Sequence, residues 1–183
     1  MNWLTALVSV AIAMVPCTSF AETQQPYAGL DARPIKAVSD QQIADLRAGR
    51  GMGLALAAEL NGYPGPIHVL ELAESLRLSE AQRARIEGLF AAMKGETVPL
   101  GEELIALETD LDRQFAGRTI TEASLAATMQ EIANTQAALR TAHLKYHLAT
   151  VEVLVPEQIA RYAALRGYAG NPQPEHQHGR HQP

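Results

Sequence analysis

The amino-acid sequence predicts an all-α protein built on a long antiparallel helical hairpin with short flanking helices. Hydrophobic residues make up 47% of the chain but aromatic residues only 5%, and this Ala- and Leu-rich mixture favours helices over sheets. Ser79 and Gln82 have the spacing of a capping box, which marks the start of a helix. After Thr121 the chain has no Gly or Pro until Pro156, so one long helix can form there.

The first 21 residues have the pattern of an export signal. An apolar run from Leu4 to Val15 is ended by Pro16, and the segment 19–21 supplies the small residues that a signal peptidase needs. This run is too short to span a bilayer, which takes about 20 residues. We expect cleavage after Ala21, whereas lipidation of Cys17 is the alternative that the preceding proline disfavours. Cleavage would leave a mature chain without cysteine and therefore without disulfides.

The segment before the hairpin is predicted to contain one weak helix. Residues 22–38 are polar, contain Pro and are expected to be extended or disordered. A capping box at Ser39–Gln42 then begins a helix with apolar residues at near-helical spacing. Three glycines between positions 49 and 53 weaken it by up to ~1 kcal/mol each relative to Ala. They mark either close packing or a hinge, and the Pro- and Gly-rich segment 61–66 ends the helix.

The first long helix of the hairpin is expected to follow a short one. The short helix is predicted from His68 to Leu76, and the Ser79 capping box begins the next. That helix should run to about Phe115, with a kink at Pro99 and a stop at Gly117.

The second long helix, Glu122–Val153, would extend about 48 Å. It has residues at alternating spacings of four and three, as in a coiled-coil pair, and a second apolar row that broadens the face. Because so wide a face needs more than one neighbour, we expect a homodimer; the alternative is a monomeric bundle covered by the first helix. The seam is Leu125, Met129, Ile132, Gln136, Leu139, His143, Tyr146, Thr150 and Val153, and the second row is Leu144, Leu148 and Val151.

Two five-residue motifs bracket the hairpin, at positions 78–82 (Leu-Ser-Glu-Ala-Gln) and 154–158 (Leu-Val-Pro-Glu-Gln). Each combines a hydrophobic residue, a helix-start signal and a glutamine at the third helical position. The pair and its spacing resemble the LTxxQ repeat of the Spy/CpxP family of small periplasmic stress proteins, over roughly Gly65 to Tyr168. The family usually has Thr where this chain has Val155, so the last helix lacks a cap worth about 1 kcal/mol.

The resemblance implies a dimer of helical hairpins in the periplasm and one of two activities, an ATP-independent chaperone or a metal-responsive sensor or buffer. The export signal, the composition and the helix signals together divide the chain. We expect a signal peptide at 1–21, a disordered leader at 22–38, a helical LTxxQ-like domain at 39–168 and a disordered His-rich tail at 169–183.

A candidate metal site lies on the second long helix. His143 and His147 stand four apart and share a face, so they can chelate Zn, Cu, Ni or Co. Reversing the chain at the predicted turns brings His68, Glu71 and Glu87 towards His147 and places Met93 opposite His143. The constellation is similar in kind to the site of the family's nickel- and cobalt-sensing members. The alternative is that His143 is a hydrogen-bonded seam residue and His147 a solvated flank.

The tail carries a second group of possible metal ligands, His176, His178 and His181. Such a tract can bind Cu, Ni or Zn weakly, and the alternative is a solubilising tail with no metal role.

A chaperone needs a concave, partly apolar surface that holds unfolded chains loosely. Apolar residues on the short helix and the first long helix are the candidates, and their alternative role is the core of the hairpin. The candidates are Leu72, Leu76, Ile86, Leu89, Phe90 and Met93.

Other classes of function are disfavoured. The formal net charge is −5 and there is no basic patch with interleaved aromatics, so we expect no nucleic-acid partner. We expect no enzyme and no required cofactor, because the chain has neither a nucleophile elbow nor a phosphate-binding loop. We predict an ATP-independent, chaperone-like binder of unfolded proteins; a heavy-metal sensor or resistance protein is the alternative, and a structural adaptor the third. The expected partners are a second copy, unfolded or envelope proteins, or a membrane signalling protein.

Overall fold

The computed structural model describes residues 27–168. This part of the chain is helical and contains no β-strand, which confirms the predicted all-α class. The signal-peptide and tail predictions lie outside the described residues. The helices are α1 (Asp40–Arg47), α2 (Leu56–Glu59), α3 (Pro66–Glu71), α4 (Glu80–Ala116), α5 (Glu122–Val151) and α6 (Pro156–Leu165), with a 3-10 turn at Leu30–Ala32.

Helices α4 and α5 form the predicted antiparallel hairpin. The backbone N–H of Gln82 donates to Ser79 Oγ at 3.2 Å, so α4 begins at its predicted capping box. Likewise, the N–H of Ser124 donates to Thr121 Oγ1 at 3.1 Å at the start of α5. Along the pair of helices, the contacting residues have rising numbers on α5 and falling numbers on α4, as antiparallel packing requires. The hydrogen-bonded side-chain pairs are Gln114–Thr128, Glu103–Thr135 and Glu96–Tyr146.

The ends of the long helices lie close to their predicted positions. Helix α4 passes Pro99 without ending and stops at Ala116, where Gly117 is the C-cap. Helix α5 ends at Val151, two residues earlier than predicted. No helix within residues 27–168 is both long and apolar enough to cross a membrane.

The segment before the hairpin differs from the prediction. The expected single helix is divided into α1 and α2, because the chain turns through the left-handed region at Gly49 and again at Gly53. Gly49 also packs closely, since a Cβ there would lie 2.7 Å from Thr97 Oγ1. Of the two proposed roles of the glycines, close packing therefore occurs in this loop, which we call the glycine loop (residues 48–55); the hinge stays a prediction.

The leader, expected to be extended or disordered, is partly ordered from residue 27 onwards. Ile35 is buried in a core cluster with Leu46 of α1 and residues of both long helices. Helix α1 lies directly on α4, because a Cβ at Gly101 would be only 2.6 Å from the carbonyl oxygen of Leu46. Burial of apolar side chains against α4 orders this segment although its own sequence is polar.

The buried face of α5 is partly shifted from the predicted seam. Ile132, Leu139, His143, Tyr146 and Thr150 are buried as predicted. Farther towards the N-terminus, however, two threonines replace the predicted Met129 and Gln136, which are exposed. The threonine hydroxyls form hydrogen bonds with side chains of α4. These hydroxyls can therefore be buried against the neighbouring helix without being left unpaired. The two buried threonines are Thr128 and Thr135.

The second apolar row of α5 is only partly covered. Leu144 and Val151 are half-buried, whereas Leu148 is exposed. A second core cluster joins α3, the start of α4 and α6 at the other end of the hairpin; it contains Val69, Leu76, Ile86, Leu154 and Tyr162.

Candidate functional site

A cavity of about 390 Å³ lies between the glycine loop, α3 and the hairpin. It is open at one side, where Met52 and Leu56 are exposed at its rim. All four predicted metal ligands of the helical domain line it, as do two of the predicted client-binding residues. These six are His68, Glu71, Phe90, Met93, His143 and His147.

His143 lies at the inner wall of the cavity and is only 2% exposed. Its Nε2 has no hydrogen-bond partner in the described part of the chain, so the alternative of a hydrogen-bonded seam residue is wrong for this atom. Burial, and then the neighbouring His147, lowers the pKa of His143 below its ordinary value. Both effects favour the neutral form of the imidazole. Its Nδ1 and Cε1 face Gly51, where a Cβ would lie 3.6 Å from Nδ1.

His147 is also buried, so its alternative role as a solvated flank is wrong. Its Nδ1 lies 2.6 Å from the carbonyl oxygen of Tyr63 and must carry a proton to donate there. Gly65 lets this imidazole approach, because a Cβ at that position would be 2.9 Å from His147 Cε1. The absence of a side chain at position 65 therefore lets the ring of His147 pack against the segment that precedes α3.

His68 and Glu71 lie at the outer part of the cavity and pair with each other. The Nδ1 of His68 is 3.0 Å from Oε2 of Glu71, and both side chains are substantially exposed. Between residues 27 and 168, no three His, Cys, Asp or Glu side chains are close enough together to hold a metal ion. The structure therefore brings the four predicted ligands to one cavity but not to one coordination point. Glu87, expected to join them, is exposed and does not line the cavity.

Glu59 is a buried residue that the sequence prediction missed. Its carboxylate accepts hydrogen bonds from the N–H of Gly65 at 3.1 Å and from the hydroxyls of Tyr162 and Tyr168, and Arg166 lies 3.8 Å away. Burial, followed by the hydrogen bond to Glu59, raises the pKa of Tyr162. These contacts join α2 to α6. In the sequence, a single glutamate after two alanines carries no signal that separates it from a solvated one.

The glutamines of the two motifs bond to each other. Gln82 Nε2 donates to Gln158 Oε1 at 2.9 Å and to the carbonyl of Val153 at 2.9 Å. Gln158 Nε2 donates to the carbonyl of Leu76 at 3.2 Å. The sequence predicts two separate helix starts, whereas the structure shows that the pair fastens the start of α4 to the start of α6.

The six predicted client-binding residues fall into two groups. Leu76 and Ile86 are buried in the second core cluster, which is the hairpin-core role considered for them. Leu72 and Leu89 are half-buried and pack against the same cluster. Only Phe90, half-buried, and Met93, buried, line the cavity. The tail histidines His176, His178 and His181 lie outside the described residues.

An all-helical hairpin whose two ends are joined by paired glutamine motifs defines a class of small α-hairpin protein. A family model described as LTXXQ motif family protein matches residues 67–166, more than half of the chain. The chain belongs to this family, which confirms the resemblance to Spy/CpxP proteins; the family is typically periplasmic. No curated protein and no solved structure matches the chain.

Proposed function

We propose that this protein is a non-enzymatic, ATP-independent binder of unfolded proteins in the periplasm. The observation that carries the proposal is the open cavity beneath the glycine loop, with an apolar wall at Phe90 and Met93 and an exposed apolar rim at Met52 and Leu56. Apolar surface at an open cavity is typical of a binding site. Unfolded chains expose apolar side chains, and inserting one into the cavity requires no nucleotide.

Further apolar side chains are exposed singly elsewhere in the described part of the chain. Scattered contacts of this kind favour weak, exchangeable binding of an extended chain over one tight complex. The negative net charge favours faster capture of clients that are neutral or positively charged. The exposed side chains outside the cavity that could make such contacts include Tyr63, Phe115, Val155 and Leu165.

The test is suppression of aggregation of a reduced model client, measured by light scattering without ATP. Leu56→Ser should weaken suppression, because Leu56 is 53% exposed and lines the cavity. Leu60→Ser is the matched control, since Leu60 is 57% exposed beside the same short helix but does not line the cavity. Absence of suppression by the unmodified protein at several-fold molar excess would contradict the proposal.

A second candidate function is binding of Zn, Cu, Ni or Co for sensing or resistance. It is supported by the placement of His68, Glu71, His143 and His147 around one cavity. The neutral imidazole of His143 is in the form that binds metals. His68 would have to leave its pairing with Glu71 to join the other two histidines.

Calorimetric titration of the four metals into protein lacking residues 169–183 tests this candidate. Affinity that persists without the tail and vanishes in the double variant His143→Ala/His147→Ala, with helicity retained, supports the folded site. Affinity that disappears with the tail assigns the metal to His176, His178 and His181 instead.

We also propose that the protein forms a homodimer and acts with a membrane signalling partner if it is a sensor. The exposed Leu148 next to half-buried Leu144 and Val151 supports an apolar contact with a second copy. Sedimentation equilibrium of the wild type and of Leu148→Lys measures this directly, and a dimer that Leu148→Lys dissociates is the expected result.

A further inference from the structure

The cavity beneath the glycine loop holds a feature that binding of apolar groups alone does not explain. Most of its wall is apolar or backbone, yet its inner wall contains the buried imidazole of His143, whose Nε2 lacks a partner. A buried polar group without a hydrogen bond costs free energy, of order 1–3 kcal/mol. Nε2 is itself closed off from solvent, so a ligand in the cavity approaches the imidazole from the side of Nδ1 and Cε1, which face Gly51.

The size and the walls of the cavity fit a flat ring. A cavity of ~150 Å³ suffices for benzene, so about 390 Å³ leaves room for a ring and a short attached chain. Phe90 offers an aromatic wall, and Met93 offers a thioether, a group that contacts aromatic rings favourably. The open side between Met52 and Leu56 lets the attached chain remain outside.

Gly51 leaves space over the imidazole that the backbone does not require. No left-handed conformation is needed at this glycine, and a Cβ would meet His143 Nδ1 and Cε1 only at ordinary contact distances of 3.6 and 3.8 Å. An alanine would therefore fit the loop but would occupy the space next to Nδ1 and Cε1 of the ring. The missing side chain leaves this space free beside an imidazole that is otherwise only 2% exposed.

The charges around the cavity disfavour an anionic ligand. Glu59 and Glu71 both line it, so a carboxylate would meet two groups of its own sign. Arg50, the one cationic side chain of the wall, is paired with Asp45 at 2.6 Å. A neutral imidazole has one nitrogen that donates and one that accepts, and a hydroxyl can satisfy either.

We propose that this cavity binds a phenol group, with its ring between Phe90, Met93 and the glycine loop and its hydroxyl bonded to His143. The phenol is supplied by a tyrosine side chain of an unfolded protein or by a small free phenol. The first source deepens the proposed chaperone function and rests on it, whereas the second does not.

The test is a titration of the full chain with p-cresol and with toluene, which differ only in the hydroxyl, followed by backbone amide NMR. We expect p-cresol to shift the amides of the glycine loop and to bind roughly three- to tenfold more tightly than toluene, the effect of one net hydrogen bond. In His143→Leu the two ligands should bind equally. Equal affinities in the wild type would overturn the proposal without reference to any variant.

A second pair of variants checks the location. Gly51→Leu fills the space over His143 and should abolish binding of both ligands. Gly95→Leu is the control, because a Cβ at that helical glycine has no neighbour within 4 Å. Binding that survives Gly51→Leu would place the phenol elsewhere and overturn the assignment.

The source is distinguished with two unfolded peptides that differ by one tyrosine-to-phenylalanine change. Tighter binding of the tyrosine peptide, lost in Gly51→Leu, supports a client side chain as the ligand. Binding of p-cresol but of neither peptide supports a site for free phenols and overturns the tyrosine source. Suppression of client aggregation without p-cresol binding refutes the phenol site but not the chaperone function. Binding of p-cresol without suppression of client aggregation refutes only the chaperone function.

Discussion

Replacing Gln158 with alanine removes the link between the starts of α4 and α6. The side chain exchanges hydrogen bonds with the amide of Gln82 at 2.9 and 3.2 Å and donates to the carbonyl of Leu76 at 3.2 Å. It also accepts from the N–H of Val155 at 3.0 Å, but that group is at the surface, where water replaces the lost partner. Three part-buried hydrogen bonds therefore carry the effect.

At ~0.5–1.5 kcal/mol net for each bond, the three bonds predict a loss of roughly 1.5–4.5 kcal/mol in the free energy of unfolding. Urea unfolding followed by circular dichroism measures it. Gln130→Ala is the matched control, because Gln130 is exposed and its side chain bonds, among residues 27–168, only to Asn134 on the surface. We expect that variant to stay within ~0.5 kcal/mol of the wild type.

A double-mutant cycle with Gln82→Ala decides whether the two motifs act together. Because the amides bond directly to each other, the double variant should lose less stability than the sum of the single variants, by at least ~0.5 kcal/mol. Strict additivity, or a loss in Gln158→Ala no larger than that in Gln130→Ala, would refute the conclusion that the glutamine pair joins the two helix starts.

Three further predictions concern individual positions. Gly101→Ala should destabilise the fold by about 1–3 kcal/mol, because its Cβ would lie 2.6 Å from the carbonyl oxygen of Leu46. Gly95→Ala, whose Cβ has no neighbour within 4 Å, should instead stabilise the fold by about 0.5–1 kcal/mol. Equal stabilities of the two variants in urea unfolding would contradict the close packing of α1 on α4. The pKa of His143 is lowered in the folded state, so the unfolded chain binds more protons than the folded one as the pH falls through the ordinary value of about 6.5. The free energy of unfolding should therefore decrease between about pH 7 and pH 5, and it should decrease less in His143→Leu. Val155→Thr supplies the cap oxygen that α6 lacks and should raise stability by about 0.5–1 kcal/mol in calorimetry, whereas no gain would mean that the N–H groups are already satisfied by water.

The helices of the hairpin were predictable because their starts depend on local chemistry. The boxes at Ser79 and Thr121 involve residues three apart, and the helix breaks depend on Gly and Pro within a few residues. The approach of the histidines was predictable in outline from the same hairpin geometry, which brought His68 and His147 to one cavity.

The remaining features depend on contacts between distant parts of the chain. The Gln82–Gln158 pair spans 76 residues, and Glu59 bonds to Tyr162 across 103 residues. Burial of Thr128 depends on its partner on α4, which hydrophobic periodicity does not represent. None of these leaves a local pattern in the sequence.

Site-specific photo-crosslinking at the cavity rim tests the central claim most directly. A photoreactive residue at Met52, which is 42% exposed, should crosslink to an unfolded client. The same residue at Met129 is the control, because that position is 45% exposed but lies about 21 Å along α5 from His143. Crosslinks from Met52 that exceed those from Met129 are predicted, and equal or absent crosslinking from Met52 would contradict client binding at this cavity.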